Sequence, residues 1–174
     1  RSGQVIATGG LSDLAKESVT NISAVVKKLT GKDIQDYDLH VQFPGTHNVD
    51  GDSASITMAT AIISAFEGVP IDQNMAMTGS LSVRGEVLPI GGVSAKIEAA
   101  VKSGIERVII PRSNLQDVLI DEKYESMVEV LPVDSLDEVL QHALVGAEDK
   151  VSLVERLANV IDTISSGPDT QPSA

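Results

Sequence analysis

Two side chains in this sequence could do nucleophilic chemistry together. Ser53 lies in a run of small and acidic residues, Asn48 to Ser55 (NVDGDSAS), that opens a helix-like stretch reaching about Glu67. At a helix N-terminus, small neighbours leave backbone N–H groups accessible, and with the positive end of the helix dipole these can stabilise a developing oxyanion. The ordinary role of such a serine is a helix N-cap, and that of Asp50 and Asp52 is a cap or a solvated loop acid. Lys96 lies in VSAKIEAAV (residues 93 to 101), where Glu98 is the only nearby charge. A lysine works as a general base only when neutral. Its reference pKa of ~10.4 must fall by about three units to serve near neutrality, which costs ~4 kcal/mol. An apolar helix that excludes water is one way to impose that shift. The ordinary role of a lone lysine there is a snorkelling surface cation. The two residues stand 43 positions apart, and spacing alone does not establish contact.

Three other patterns fail on their own chemistry. Gly91-Gly92-Val93-Ser94-Ala95-Lys96 imitates a phosphate loop, but that loop needs Gly at 95 and Ser or Thr at 97, where this chain has Ala95 and Ile97. Asn48, Asp50 and Asp52 alternate like calcium ligands. The glycine such a loop requires is Ser53, however, and the twelfth position holds Ala59 in place of a bidentate Glu. Gly51 to Ser55 imitates a nucleophile elbow whose closing Gly is Ser55. For a Ser–His–Asp arrangement, His40 is the best placed of the three histidines, since it falls on a strand expected beside the Ser53 loop. His47 lies in a loop without a recognisable acid partner, and His142 in a charged helix. A half-buried strand histidine is the simpler reading of His40.

These residues must be positioned by strands and helices that the pattern also indicates. Gln4 to Thr8 reads as a strand ended by Gly9-Gly10, and residues 12 to 29 as an amphipathic helix with Leu14, Val19, Ile22, Val25, Val26 and Leu29 on one face. Tyr37 to Phe43 alternates as a strand. Met75 to Ile90 reads as two β runs around Arg84-Gly85, a hairpin. A helix over 93–104 follows, then a buried strand from Glu106 to Pro111, a polar-start helix near 113–120, a strand from Val128 to Val133 and a helix over 135–144. Residues 146–150 read as a hinge before a last helix near 151–164, and the small, polar tail to 174 as disordered. Strands mixed with helices, a hairpin included, make the fold class α+β.

The chain has 174 residues, 42% of them hydrophobic, enough for one core. With 13 Lys and Arg against 25 Asp and Glu, the net charge is −12, which repels phosphate backbones, so no nucleic-acid partner is expected. The absence of cysteine excludes disulfides, thiolate zinc sites and cysteine nucleophiles; three isolated histidines make no metal centre, and none is expected. Four aromatic residues are too few for base-stacking platforms. No apolar run reaches the ~18 residues of a membrane span. The start at Arg1 rather than Met is what a segment of a longer protein would show.

Taken together, DGDSAS and TGSLSVRGEVLPIGGVSAKIEAA closely resemble the proteolytic domain of Lon proteases, over about Val5 to Leu144. The Asp-Ser-Ala-Ser form resembles the Lon-B subtype typical of archaea. The resemblance implies an α+β domain of mixed sheets and packed helices, shared with the second domain of a small-subunit ribosomal protein. It implies boundaries at residues 1–145 for the proteolytic domain, 146–164 for a helical extension and 165–174 for the tail. Ser53 matches the catalytic serine, Lys96 the catalytic lysine and Thr78 the threonine whose hydroxyl contacts that lysine. Asp50 and Asp52 match acids flanking the nucleophile. His40 falls where the other subtype carries a histidine, but Gln42 replaces a second one, so no triad is assigned. The implied parent is a ring, usually hexameric, with an upstream AAA+ ATPase that uses ATP and Mg and threads unfolded polypeptides into a chamber. It is cytoplasmic, in Lon-B proteins anchored to the membrane through an insertion in the ATPase part. This stretch carries neither module, and no cofactor is expected within it. The leading reading is therefore a serine endopeptidase with a Ser–Lys dyad. The alternative is an inactive assembly module of the same fold, and a small-molecule kinase is set aside for want of a phosphate loop.

Overall fold

A computed structural model describes residues 5–9, 13–45 and 51–165 of the chain. Strand β1 (Val5–Thr8) leads to helix α1 (Asp13–Thr30), whose buried Val19, Ile22, Val25, Val26 and Leu29 are the apolar face that the spacing predicts. A 3-10 turn at Ile34–Asp36 precedes β2 (Leu39–Gln42), which pairs parallel to β1. Helix α2 (Ser55–Glu67) buries seven of its residues, Ile56, Ala59, Thr60 and Ile63 completely. Then come β3 (Met75–Met77), the antiparallel pair β4 (Ser80–Leu81) and β5 (Val87–Leu88), and α3 (Val93–Lys102). Strand β6 (Arg107–Pro111), a short α4 (Glu122–Glu125), β7 (Glu129–Val133), α5 (Leu136–Ala143) and α6 (Ala147–Ser165) complete the order. Helices with parallel and antiparallel pairs bear out the α+β expectation.

One sheet separates two hydrophobic cores. Its strands run parallel in the order β3-β6-β7, and β6 alternates between the two sides. Ile109 packs into the larger core with α1, α2, α5 and α6, whereas Val108 and Ile110 pack with Val93, Ile97 and Ala100 of α3. Successive side chains of a strand point to opposite faces, so β6 serves both cores and reads as a continuous apolar run. Strand β7 tolerates Pro132 because it is an edge, where a missing N–H costs no ladder bond.

The chain departs from the sequence expectation in three places. Met75 to Leu81 is not one arm of a hairpin: Met75–Met77 joins β6, and only Ser80–Leu81 pairs with β5. The break falls at Thr78-Gly79, where Gly79 is wedged so tightly that an added Cβ would stand 3.0 Å from both Ile56 and Val87. The expected helix at 113–120 is a 3-10 helix at Arg112–Asp117 that stops short, and a helical turn at Glu122–Glu125 follows it. The expected hinge at 146–150 is mostly helix, because α6 begins at Ala147 and only Val145 and Gly146 separate it from the isolated bridge at Leu144. The tail from Ser166 onward lies outside the described residues.

Helix α6 is built into the larger core. Leu153, Val154 and Leu157 are buried there, and Arg156 donates to Glu67 of α2 at 2.7 Å. Leu157 is fully buried. Leu157→Ala is expected to destabilise the whole chain by about 2–5 kcal/mol, the range for emptying a core leucine site. A single cooperative melt shifted to lower temperature checks this; an unshifted midpoint would show that α6 does not contribute to the core.

Candidate active site

The site forms where the larger and smaller cores meet at the end of β3. Ser53 lies in the turn just before α2, and the helix N-cap is its neighbour Ala54, which makes no side-chain cap bond. The capping expectation for Ser53 therefore fails by one residue. Ser55 turns back on the loop: its hydroxyl donates to the Asp52 carbonyl, as does the Ser55 N–H at 3.0 Å.

Lys96 comes from the opposite side of the sheet. Gly92, with φ of 70°, turns the chain into α3, and this left-handed conformation carries no steric penalty for glycine. Val93 and Ile97, both buried in the smaller core, fix the first turn of the helix with Lys96 between them. The half-buried ammonium donates to Thr78 Oγ1 at 3.2 Å, and Thr78 Oγ1 donates to the Ser53 carbonyl at 3.2 Å. Thr78 is itself buried. Its hydroxyl proton points at Ser53, so the oxygen faces Lys96 as an acceptor. Gly79 N–H also donates to the Ser53 carbonyl at 2.8 Å. The chain thus brings Ser53, Thr78 and Lys96, drawn from three separate stretches, into one cluster.

Electrostatics act on Lys96 in opposing directions. Burial disfavours the ammonium and holds Lys96 below the ordinary lysine value, while the Asp52 carboxylate opposes that shift. The place of Lys96 in the first turn of α3, near the positive end of the helix, disfavours the cation further. Asp52 is exposed and accepts a hydrogen bond from the buried Ser80 hydroxyl at 2.6 Å. Thr78 and Ser80 flank Gly79, so one short segment contacts both the cation and the acid. Ser80 escaped the sequence reading, where it was one residue of a β run. A small polar residue between apolar Met77 and Leu81 is the signal it left.

Two clefts open on this cluster, and Ser53 and Lys96 line both. The smaller, about 230 Å³, is walled by Ala54, Ala76, Met77 and Val108 with Thr78 at its edge. The larger, about 630 Å³, runs between Gly51–Asp52 and the segment Pro89–Gly91. His40 is exposed on β2 and lines neither cleft; His142 sits on α5. Asp50 and His47 lie outside the described residues. Among the described residues no cluster of acids and histidines could hold a metal ion.

Residues 1–146 match the family described as the Lon protease (S16) C-terminal proteolytic domain. The chain belongs to that family. It is a Lon proteolytic domain and hence a serine-peptidase domain. It is 54% identical over 165 residues, 94% of its length, to an archaeal Lon protease of Methanothermobacter thermautotrophicus. Against archaeal Lon proteases of Archaeoglobus fulgidus and Thermoplasma acidophilum it is 56% identical over 155 residues and 52% over 162, covering 88% and 92% of the chain. It spans about a quarter of the length of these relatives, 26%, 25% and 25%. Within the described residues of this Lon domain no helix is long and apolar enough to cross a membrane.

The opposing influences on Lys96 make a prediction independent of turnover. A negative Asp52 favours the ammonium, so Asp52→Asn removes that support and the Lys96 titration moves further down. Nuclear magnetic resonance of the lysine Cε signals against pH checks it. A midpoint that stays or rises would mean Asp52 does not act on Lys96.

Proposed function

We propose that this domain is a serine endopeptidase in which Ser53 is the nucleophile and Lys96 the base. The observation that carries the reading is the Lys96–Thr78–Ser53 contact chain, with Lys96 held below the ordinary lysine range. A neutral amine has two N–H bonds and one lone pair. Donation to Thr78, whose own proton is committed to the Ser53 carbonyl, orients the amine and leaves its lone pair for the Ser53 hydroxyl proton. Ser53 Oγ attacks the peptide carbonyl carbon as that proton passes to Lys96. The resulting ammonium then protonates the departing amine as the C–N bond breaks, leaving an acyl-serine. Water repeats the sequence, giving its proton to Lys96 and releasing the acid and free Ser53. The oxyanion needs donors from the turn. The Ser55 and Ile56 amides already bond to the Asp52 and Gly79 carbonyls, so this reading assigns the oxyanion to the Ser53 and Ala54 amides.

The longer protein to which such a domain belongs is proposed, by its relatedness to Lon proteases, to be a cytoplasmic homohexameric ring. Its ATPase module, using ATP and Mg, would feed unfolded polypeptides to this site. No step described here requires ATP, so this chain is expected to cut short unstructured peptides without it. Folded domains, ~5–15 kcal/mol more stable than their unfolded chains, should resist.

The test is covalent labelling with a serine-directed fluorophosphonate, read by mass spectrometry at Ser53, beside hydrolysis of a fluorogenic peptide. Ser53→Ala and Lys96→Ala should each abolish hydrolysis with unchanged circular dichroism. The double variant should be no worse than either, because the two residues act as a unit. Substantial turnover by Lys96→Ala would remove lysine as the base, and a folded chain unlabelled at Ser53 would favour an inactive assembly module.

A second expectation concerns Thr78. Thr78→Val keeps its shape, deletes the hydroxyl and should lower kcat by ~10–1000-fold, the range for losing a positioned polar group. An unaltered rate and pH profile would show that the hydroxyl does not support the base.

A further inference from the structure

One wall of the larger cleft depends on a buried side chain that the chemistry above does not use. Strand β5 ends at Leu88, and Pro89, lacking an N–H, cannot extend its pairing with β4. The next residue, Ile90, is therefore left with a backbone donor and acceptor that need partners beyond the strand pair. Asn114, 4% exposed within the 3-10 helix Arg112–Asp117, supplies both. Its Oδ1 accepts from the Ile90 N–H at 2.8 Å, and its Nδ2 donates to the Ile90 carbonyl at 2.9 Å. The same Nδ2 donates to the Asp117 carboxylate at 3.1 Å. The side-chain amide thus does what a neighbouring strand would do, and it holds Ile90 in place across 24 residues of sequence.

We infer that Asn114 is a positioning residue for peptide binding: by clamping Ile90 it holds the Pro89–Gly91 wall of the Ser53 cleft ready to receive an extended polypeptide segment. This rests on the peptidase reading above. The cleft, about 630 Å³, has the size of ordinary ligand sites, and Pro89, Ile90 and Gly91 face the same space as Ser53 and Lys96. A wall ordered before the peptide arrives spares the complex that ordering cost, so its loss weakens binding. The dyad has supports of its own that do not include Ile90. Ser53 is held by Thr78 and Gly79, and Lys96 by the burial of Val93 and Ile97. Loss of the clamp therefore acts on KM and leaves kcat and the reactivity of Ser53 in place.

The experiment compares the intact chain with Asn114→Asp, which keeps the shape and the acceptor but loses the donor, and with Asn114→Ala. Ser94→Ala is the control. The Ser94 hydroxyl donates to the Asp117 carbonyl at 3.0 Å and accepts from the Leu119 N–H at 2.8 Å, so its loss loosens the neighbouring segment without touching Ile90. KM for an unstructured fluorogenic peptide should rise about tenfold in both Asn114 variants, matching the loss of one to two net hydrogen bonds. Their kcat and fluorophosphonate labelling rate at Ser53 should stay within about twofold, and Ser94→Ala should keep KM near its original value. An unchanged KM in folded Asn114 variants overturns the inference. So does a labelling rate that falls with kcat, which would place Asn114 in support of the dyad, or an equal KM rise in Ser94→Ala. If the Asn114 variants do not fold, hydrogen exchange of the Ile90 amide in Ser53→Ala replaces them. Added uncleaved peptide should slow that exchange, and no change would overturn the proposal. Failure of the peptidase reading shows separately, as an intact chain unlabelled at Ser53.

Discussion

Three hydrogen bonds around Thr78 and Gly79 hold the two halves of the site together. The Gly79 N–H and the Thr78 hydroxyl both donate to the Ser53 carbonyl, and the Gly79 carbonyl accepts from the Ile56 N–H. This dipeptide leaves β3 on one side and enters β4 on the other, so it docks the start of α2 onto the end of the β3-β6-β7 sheet. Gly79 permits the approach because a Cβ there would meet Ile56 and Val87 at 3.0 Å. Thr78 then offers the far side of its hydroxyl to Lys96. Without this junction the Ser53 turn and the Lys96 helix would belong to separate cores.

The two-core arrangement explains how so small a domain lowers the titration of a lysine. Helix α3 is short and would be marginal alone, since isolated helices below ~12–15 residues are unstable in water. Packing of Val93, Ile97 and Ala100 on Val108 and Ile110 secures it, and the same packing removes water from one side of the Lys96 stem. Stability and function draw here on the same apolar surface. The acid that opposes the shift, Asp52, is exposed and tied to Ser80, so its charge acts from the solvent side of the cluster.

Two connections outside regular structure are held by side chains rather than by ladders. Asn114 closes the Ile90 backbone, and Ser94 bridges Asp117 and Leu119. Both contacts act where a strand or helix has just ended, at Leu88 and at Asp117. The first of these carries the cleft wall, where Pro89 offers no N–H for further backbone pairing.

The sequence by itself determined the elements with strong periodicity and the residue types of the site. The spacing of Val19, Ile22, Val26 and Leu29 dictated α1 and the apolar run at Arg107–Pro111 dictated a buried strand, whereas the DGDSAS and VSAKIEAA segments pointed to Ser53 and Lys96 through their resemblance to Lon proteases. Local chemistry fixes such features, because a helix face or a buried strand needs only its own pattern. Only the tertiary structure decided that Met77 and Ser80 lie in different sheets, that Ala54 and not Ser53 takes the N-cap position of α2, and that residues 147–150 form the start of α6. It alone also brought Asp52 to Ser80 and Asn114 to Ile90, pairs separated by 28 and 24 residues. Contacts of that range are set by how the two cores pack against the β3-β6-β7 sheet, and no residue's own neighbours in sequence encode them.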